Sequence, residues 1–321
     1  MPNATSVTIT DLRDPTAVGD EMELLDQDMV SLDKKPFRVS WVVLNLGPSA
    51  LIFHSTSRRV RSETKTHPDR ICFITVGPQS RGTLDGQTMR PEILFRAEPG
   101  VTTEVVVESG YRSLVFLISP AELKSQLRAR GRGDEFHVPR GVEPVSLTTL
   151  GTRPFYGLGM RLIDAARRRP ARFNDRAGAR LSAHIELVEL LLVTLGTDDQ
   201  PKRTRRDRTG QTNSRIIKTA ESFALEHVDR RPLVSDLCEA TGVSERTLQY
   251  AFKDILGLTP TAYLIRLRLH RARSDLRLAS AKTTTVTEVA LEWGFWHFGD
   301  FSKAYAQCFG ELPSKTLRRI R

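Results

Sequence analysis

Long apolar runs and paired cysteines are both missing from this chain of 321 residues. No stretch approaches the ~20 apolar residues that a membrane-spanning helix needs. Residues 1–28 are acidic and show no basic start followed by an apolar core, so a secretory signal is not expected. Cys72, Cys238 and Cys308 lie far apart, without the spacing of zinc ligands. This odd, scattered set argues against a disulfide framework and a Cys-based zinc site, and it favours a reducing cytoplasm.

Acidic residues are too few to balance the basic ones. The chain has 48 Lys and Arg against 38 Asp and Glu, a formal net charge of +10. Such an excess favours contact with a polyanion, either nucleic acid or an anionic membrane surface, although an Arg-rich composition also follows from genome composition. The 39% hydrophobic and 27% charged fractions are typical of globular domains, and the length suits two of them.

The N-terminal part contains segments of different residue pattern. Residues 1–30 are polar and acidic, and we expect a flexible lead-in. Short β-rich runs separated by Gly and Pro then extend from about 35 to 120, which is typical of an antiparallel sandwich or barrel. Within them, Leu84-Asp85-Gly86-Gln87 predicts a tight hairpin, because Gly accepts positive φ.

From about 120 to 196 the apolar spacing is helical. It predicts helices over 120–130, 153–169 and 174–196, the last capped by Asn174. These helices either pack on the β-rich part or, through the Leu-rich segment 181–195, supply a dimer surface. We therefore expect an α+β domain over 31–196.

Residues 197–213 contain no large apolar side chain. Such a segment cannot bury anything, so it is predicted to be a flexible linker. It would separate the first domain from an all-α domain over 214–321.

A helix-turn-helix pattern occupies about 233–254. In this pattern a small residue lets the two helices approach each other, and a glycine then reverses the chain. An apolar residue fills the angle between the helices, and two further apolar residues anchor the second helix in the core. Ser244 is positioned to cap that second helix. The structural positions are, in that order, Cys238, Gly242, Val243, Leu248 and Phe252.

The same pattern recurs at about 285–308, with one extra residue in the turn. Thr285 and Glu288 form a capping-box pattern at its start. The equivalent structural positions are Ala290, Gly294, Phe295, Phe301 and Tyr305. Two copies of one unit in a single chain are far more specific than one.

A predicted helix from Thr259-Pro260 to about Leu278 joins the two copies. Its length of roughly 27 Å, at ~1.5 Å per residue, would place two reading helices near one turn of B-DNA apart. The helix is rich in arginine, at Arg266, Arg268, Arg271, Arg273 and Arg277.

Residues 214–321 resemble the DNA-binding domain of the AraC/XylS family of bacterial transcription regulators. The resemblance rests on Val243-Ser244-Glu245-Arg246-Thr247-Leu248-Gln249, Gly257-Leu258-Thr259-Pro260, Trp293-Gly294-Phe295 and Phe309-Gly310-Glu311-Leu312-Pro313-Ser314. It implies base contacts from the exposed face of each recognition helix, the second helix of each unit. By position these are Arg246, Gln249, Tyr250, His297, Gly299 and Lys303, with phosphate contacts from Ser244, Thr247 and Lys253.

Side-chain chemistry supports base contacts by the first recognition helix more than by the second. Arg246 can bond guanine, and Gln249 adenine, in two-pronged fashion. Gly299 has no side chain to read a base, and Asp300 places a negative charge on the DNA-facing side. Trp296 and Phe298, near the start of the second recognition helix, are expected to belong to the core rather than to touch thymine methyls or a partner.

The N-terminal domain resembles, in order and texture, the cupin-like sensing and dimerisation domain of the same family. This implies an effector pocket inside a barrel, lined by Trp41, Phe53, Phe73 and Phe95, although each of these also suits an ordinary core position. His54 and His67 raise the question of a cupin metal. Because no His-x-His with a following Glu is present, we predict no metal and no other cofactor.

The sequence thus predicts a cytoplasmic, nucleoid-associated transcription regulator that is not an enzyme. It would be a ligand-responsive activator that binds promoter DNA as a homodimer, with a contact to RNA polymerase and none to a membrane. Two alternatives stay open: a barrel enzyme fused to a DNA-binding module, and an architectural DNA-binding protein that needs no ligand. The first would require a catalytic constellation that we do not find in the sequence. The second would need neither a large β-rich domain nor a linker.

Overall fold

The computed structural model describes residues 5–17, 24–33, 37–135, 137–145, 147, 151–195, 204–230 and 232–319. The strands in these ranges are β1 (Val7–Leu12), β2 (Asp26–Ser31), β3 (Val39–Asn45), β4 (Ser49–Thr56), β5 (Val60–Lys65), β6 (Ile71–Val76), β7 (Gly82–Leu84), β8 (Gln87–Met89), β9 (Leu94–Ala97), β10 (Thr102–Val107), β11 (Arg112–Ile118) and β12 (Val142–Val145). The α-helices are α1 (Pro120–Arg128), α2 (Arg153–Arg168), α3 (Ala171–Asn174), α4 (Ala177–Thr194), α5 (Arg205–Glu226), α6 (Val234–Thr241), α7 (Glu245–Leu256), α8 (Pro260–Leu278), α9 (Val286–Glu292), α10 (Phe298–Phe309) and α11 (Pro313–Leu317).

The strands form two antiparallel sheets. The larger has the order β1-β3-β4-β11-β6-β9-β12 and the smaller the order β2-β5-β10-β7-β8. The predicted hairpin is confirmed between β7 and β8, where Asp85 and Gly86 both adopt positive φ, 47° and 73°. The N-terminal domain is therefore β-rich, with two sheets followed by helices.

Strand alternation gives the larger sheet two buried faces. Phe53 and Phe73 pack with Phe155 and Leu187, which belong to helices α2 and α4 on the outside of the sheet. Their neighbours along the strands, such as Ile52, pack in the cluster between the two sheets. The helices thus cover one face of the larger sheet, and the smaller sheet covers the other.

The first 30 residues do not form the expected lead-in. β1 pairs along its whole length with β3, from Val7 opposite Leu44 to Leu12 opposite Val39, and β2 pairs with β5. β1 is a short edge strand rich in β-branched residues, so it needs few buried apolar side chains. The low apolar content of residues 1–30 therefore did not indicate the absence of secondary structure.

Two predictions about the helical segment 120–196 also need correction. The strand β12 lies within it, paired with β9. Asn174 does not cap the last helix: α4 begins after Arg176, and the Asn174 side chain accepts a hydrogen bond from the Val7 amide at 3.0 Å. The last helix nevertheless lies where its apolar spacing predicts it.

The predicted linker is partly wrong as well. Residues 197–203 lie outside the described residues, but Arg205 begins the long helix α5. Thr204 and Asp207 form a capping box at its start, and Gly210 lies against Gly86 of the β7–β8 turn. An added Cβ on Gly210 would lie 2.1 Å from the Gly86 carbonyl oxygen. The start of α5, which falls within the predicted linker, thus packs on the smaller sheet through a contact between two glycines, without needing a large apolar residue.

The C-terminal helices form two hydrophobic clusters. One contains residues of α5, α6, α7 and the first half of α8, together with Val30, Leu32 and Val106 of the N-terminal domain. The other joins the second half of α8 to α9, α10 and α11. None of the described helices combines the length and the apolar character required to cross a bilayer.

Candidate nucleic-acid interface

The first helix-turn-helix unit consists of α6, a short turn and α7. Gly242 adopts the left-handed conformation, with φ 67°, and the Val243 amide donates to the Cys238 carbonyl at 3.2 Å. The Ser244 hydroxyl accepts from the Thr247 amide at 3.3 Å, which caps α7 as predicted. Leu248 and Phe252 are fully buried and Val243 is partly buried, which is the burial expected of residues that hold the second helix against the first.

The second unit repeats these turn contacts. Gly294 has φ 71°, and the Phe295 amide donates to the Ala290 carbonyl at 2.8 Å, the bond equivalent to that between Val243 and Cys238. Thr285 and Glu288 form the predicted capping box. Phe301 and Tyr305 are buried. The two turns are therefore alike in backbone as well as in sequence.

The predicted contact residues of α7 share one exposed face. Arg246, Tyr250 and Lys253 are exposed and Gln249 is half-buried, at a spacing of three, four and seven residues. Within the described residues no hydrogen bond or ion pair engages these four side chains. The face lies opposite buried Leu248 and is available to a ligand.

The corresponding face of α10 is poorer in polar side chains. His297, Gly299 and Lys303 are all exposed, as is Asp300 in the first turn. His297 precedes the helix without a side-chain capping bond. The structure thus presents all six predicted base-contact residues, but the second set contributes fewer groups able to read a base.

Trp296 and Phe298 are not core residues, contrary to the prediction. Their exposed fractions are 56% and 42%. The extra residue in the second turn explains the difference, because the core positions of this unit are filled by Phe295 and Phe301. The two aromatic side chains instead lie on the surface at the start of α10.

The sequence predicted only that α8 is rich in arginine. In the structure, Arg271 and Arg273 contact other parts of the protein. Arg273 is buried and bonds Asp14, Glu311 and the hydroxyls of Tyr305 and Thr316. Arg271 pairs with Asp28 at 2.5 Å. These cations attach the second half of α8 to the N-terminal segment, so they add little to a DNA-facing charge.

A buried ionic network attaches helices α5 and α8, which pack against the first unit, to the smaller sheet. Arg61 of β5 donates to Glu104 of β10 at 2.7 Å, to Glu221 of α5 at 2.9 Å and to the Tyr263 hydroxyl of α8 at 2.9 Å. Ser214 donates to the other Glu104 oxygen at 2.8 Å. Burial raises the pKa of Glu221 above its ordinary value, and Glu104 adds to this because one guanidinium serves two carboxylates.

Arg59, on the same strand, contacts the recognition helix directly. Its guanidinium donates to the carbonyls of Leu256, at 2.6 Å, and Ile255, at 2.9 Å, which are the last residues of α7. A cation at a helix C-terminus satisfies free carbonyls and complements the helix dipole. Sequence analysis missed Arg59, Arg61 and Glu221, because nothing in their local spacing indicates a partner in another domain.

The predicted effector-pocket residues are only partly brought together. A cavity of about 60 Å³ lies between the two sheets, and Trp41 lines it. Phe95 belongs to the surrounding cluster, but Phe53 and Phe73 point to the helices on the other face of the larger sheet. The prediction was therefore wrong for Phe53 and Phe73, since each occupies the opposite phase of its strand from a cavity-lining neighbour. His54 lines the cavity.

Comparison with known proteins matches the C-terminal region. Residues 237–319 fit a family model described as a helix-turn-helix domain. The chain is 38% identical over 105 residues to the probable thc operon regulatory protein of Rhodococcus erythropolis, covering 33% of this chain and 32% of that protein. It is 37% identical over 99 residues to an XylDLEGF operon transcriptional activator of Pseudomonas putida, covering 31% of each.

A solved structure of a probable AraC family transcriptional regulator from Rhodopseudomonas palustris is 36% identical. The match covers 33% of this chain and 98% of that one, with a TM-score of 0.31. This chain spans about a third of the length of the two curated relatives described above.

Proposed function

Because the chain belongs to the AraC/XylS family of transcription regulators, we propose that it regulates transcription by binding promoter DNA through its two helix-turn-helix units. The observation that carries this proposal is the exposed face of α7, where Arg246 and Gln249 have no partner among the described residues. Both side chains match base edges in the major groove.

The two units have different roles in this proposal. Arg246, Gln249 and Tyr250 read bases, and Ser244, Thr247 and Lys253 contact phosphates. In the second unit, His297, Gly299 and Lys303 face the neighbouring groove and hold the DNA more than they read it. Helix α8 has 19 residues and is therefore about 28 Å long, close to the ~34 Å repeat of successive major grooves.

The affinity of the full-length protein for its own upstream DNA tests the proposal. Fluorescence anisotropy at fixed salt should show a dissociation constant at least about 10³-fold lower than for a scrambled duplex of equal length. Equal affinity for both duplexes would contradict sequence-specific binding. The salt concentration is held fixed because the phosphate contribution is strongly salt-dependent.

The N-terminal domain is proposed to sense a small molecule rather than to catalyse a reaction, since regulators of this family are not enzymes. Its two facing sheets support a barrel-like effector site, with the cavity beside Trp41 as the binding place. We further propose that the protein acts in the cytoplasm as an activator that contacts RNA polymerase, in keeping with the activator to which it is similar.

A homodimer through α4 is the proposed assembly, with α2 beside it. Leu181 and Ile185 lie one turn apart on α4 and are 53% and 50% exposed, although both are large apolar side chains. Ile185→Glu should convert a dimer to a monomer in light scattering after gel filtration. An unchanged molar mass, whether that of a dimer or of a monomer, would rule out this surface.

A further inference from the structure

The cavity between the sheets is lined mainly by apolar side chains, but several polar side chains lie among them. The inner faces of packed sheets are usually apolar, because they form the hydrophobic core. Here amide, imidazole and hydroxyl groups also line the space. They include those of Gln27, His54, Ser62, Thr64, Thr103 and Ser113.

Two of these side chains have hydrogen-bonding atoms with no partner among the residues that the structure describes. The Gln27 amide nitrogen donates to the Thr64 hydroxyl at 3.0 Å, but its oxygen Oε1 is buried and accepts no hydrogen bond. His54 Nε2 is buried and unpaired in the same way. Gln27 and His54 are each only 8% exposed. Buried polar atoms without partners destabilise a fold, so their presence points to a ligand that completes them.

The described lining of the cavity carries no formal charge. No Lys, Arg, Asp or Glu is among the described residues that line it. Burial lowers the pKa of His54 to about 4, so its imidazole is neutral at pH 7. A carboxylate or an ammonium group would be buried here without a counter-charge, which is strongly unfavourable.

The volume limits the size of the ligand. The cavity measures about 60 Å³, against the roughly 150 Å³ that admits benzene in a protein interior. An aromatic effector would not fit without movement of the sheets. A molecule of about three to five non-hydrogen atoms fits the space, since about 10–15 Å³ accommodates one water.

We propose that this cavity binds an uncharged molecule of a few non-hydrogen atoms that both donates and accepts hydrogen bonds, a short amide or a short diol. A donor group bonds Gln27 Oε1, and a second polar group bonds His54 Nε2. Trp41, stacked on His54 with ring centroids 5.3 Å apart, forms an apolar wall beside them. The inference rests on the proposed sensing function of this domain and assigns the chemistry of its effector.

Titration calorimetry of the full-length protein tests this chemistry with acetamide and acetate, which have the same shape but differ in charge. Acetamide should bind saturably with a dissociation constant of about 0.05–10 mM, the range open to so small a ligand, and acetate should not bind. Ethylene glycol is titrated in a parallel experiment, and comparing its affinity with that of acetamide shows whether the site prefers a diol or an amide. Equal binding of acetate and acetamide, or binding of none of the three, would overturn the proposal and leave a site for ordered water alone.

Substitutions of the residues that line the cavity test whether the ligand binds there. Gln27→Met keeps the length of the side chain without its amide, and it should weaken binding at least about tenfold. His54→Phe is a second variant that removes the other unpaired atom. Gln79→Met, in an exposed loop, is the matched control and should bind as the wild type does. Wild-type binding by both lining variants would refute the assignment.

DNA affinity without ligand is measured on the same protein samples. If specific DNA binding is present but no small molecule binds, only the effector chemistry fails. If specific DNA binding is absent, the proposed regulatory function fails, whatever the calorimetry shows.

Discussion

The first helix-turn-helix unit shares a hydrophobic cluster with the N-terminal domain, whereas the second has a cluster of its own. The helices around each unit are also attached to that domain by an arginine. Arg61 of the N-terminal domain bonds Glu221 of α5 beside the first unit, and Arg273, in the half of α8 that packs on the second unit, donates to Asp14 of the N-terminal domain. The exposed faces of the two recognition helices are not alike, because the predicted contact positions of α7 carry several long polar side chains and those of α10 carry fewer.

This difference suggests a division of labour within one DNA-binding domain. The unit proposed to read bases is the one that shares a hydrophobic cluster with Val106 of the N-terminal domain and whose recognition helix accepts hydrogen bonds from Arg59. A change in the N-terminal domain would therefore act first on the unit proposed to determine sequence preference.

Removing Arg61 should have the largest effect on stability. Arg61→Met leaves the Glu104 and Glu221 carboxylates buried without their cation, so the free energy of unfolding should fall by about 3–5 kcal/mol. Urea denaturation measures it. Arg59→Met is the matched control on the same strand, and its loss should be smaller, about 1–2 kcal/mol, because it removes charge-assisted bonds to helix carbonyls but leaves no buried carboxylate unpaired. A loss of similar size in both variants would show that the network contributes no more to stability than the Arg59 contacts do.

The next largest effect is expected at the reading face of α7. Arg246→Ala should weaken binding to the specific duplex by about 1–3 kcal/mol and relax the preference at one base position. Lys253→Ala, expected to remove a phosphate contact, should weaken binding to all duplexes about equally. Unchanged affinity and unchanged preference in Arg246→Ala would show that this residue does not read a base.

Acid and base should affect the two attachments in opposite directions. Burial alone would raise the pKa of Asp14, but its hydrogen bonds with Arg273 lower it below the ordinary 3.8. The stabilisation from Asp14 is therefore present above pH 3.8 and is lost as the pH falls through the folded-state pKa. For Glu221 the folded-state pKa lies above the ordinary 4.5, so its stabilisation is complete below pH 4.5 and declines as the pH rises through the folded-state pKa.

At pH 7 the two neutral substitutions should therefore differ. Asp14→Asn should lower the free energy of unfolding by about 1–2 kcal/mol, because a charge-assisted hydrogen bond is lost. Glu221→Gln should cause a smaller loss or none, since it removes the surplus negative charge beside Arg61. Thermal denaturation from pH 4 to 8 measures both, and a larger loss for Glu221→Gln at pH 7 would contradict the assigned directions.

The smallest effect is expected on the exposed face of α10. Asp300→Asn removes an exposed negative charge from the face of α10 proposed to meet DNA, so affinity should rise by about two- to five-fold at low salt and the gain should shrink as salt is added. Glu292→Gln, an exposed acid on α9, is the control. A decrease in affinity in Asp300→Asn would place this carboxylate in a specific contact instead.

The sequence predicted what is local and missed what is distant. The helix-turn-helix units were predictable because a left-handed glycine, a capping serine and apolar spacing act within a few residues. The attachment of Arg61 to Glu221 was not, since it joins side chains from separate domains, and the contact of Gly86 with Gly210 leaves no apolar signal. The prediction for Phe53 and Phe73 failed because both faces of the larger sheet are buried, which hides the phase of its strands.

Selection of bound duplexes from a randomised DNA pool tests the central claim most directly. Full-length protein should enrich a site with two blocks about 10 base pairs apart, one strongly and one weakly specified. In Arg246→Ala the strong block alone should lose a base preference. Absence of an enriched sequence, or a strong block unaffected by Arg246→Ala, would contradict the account.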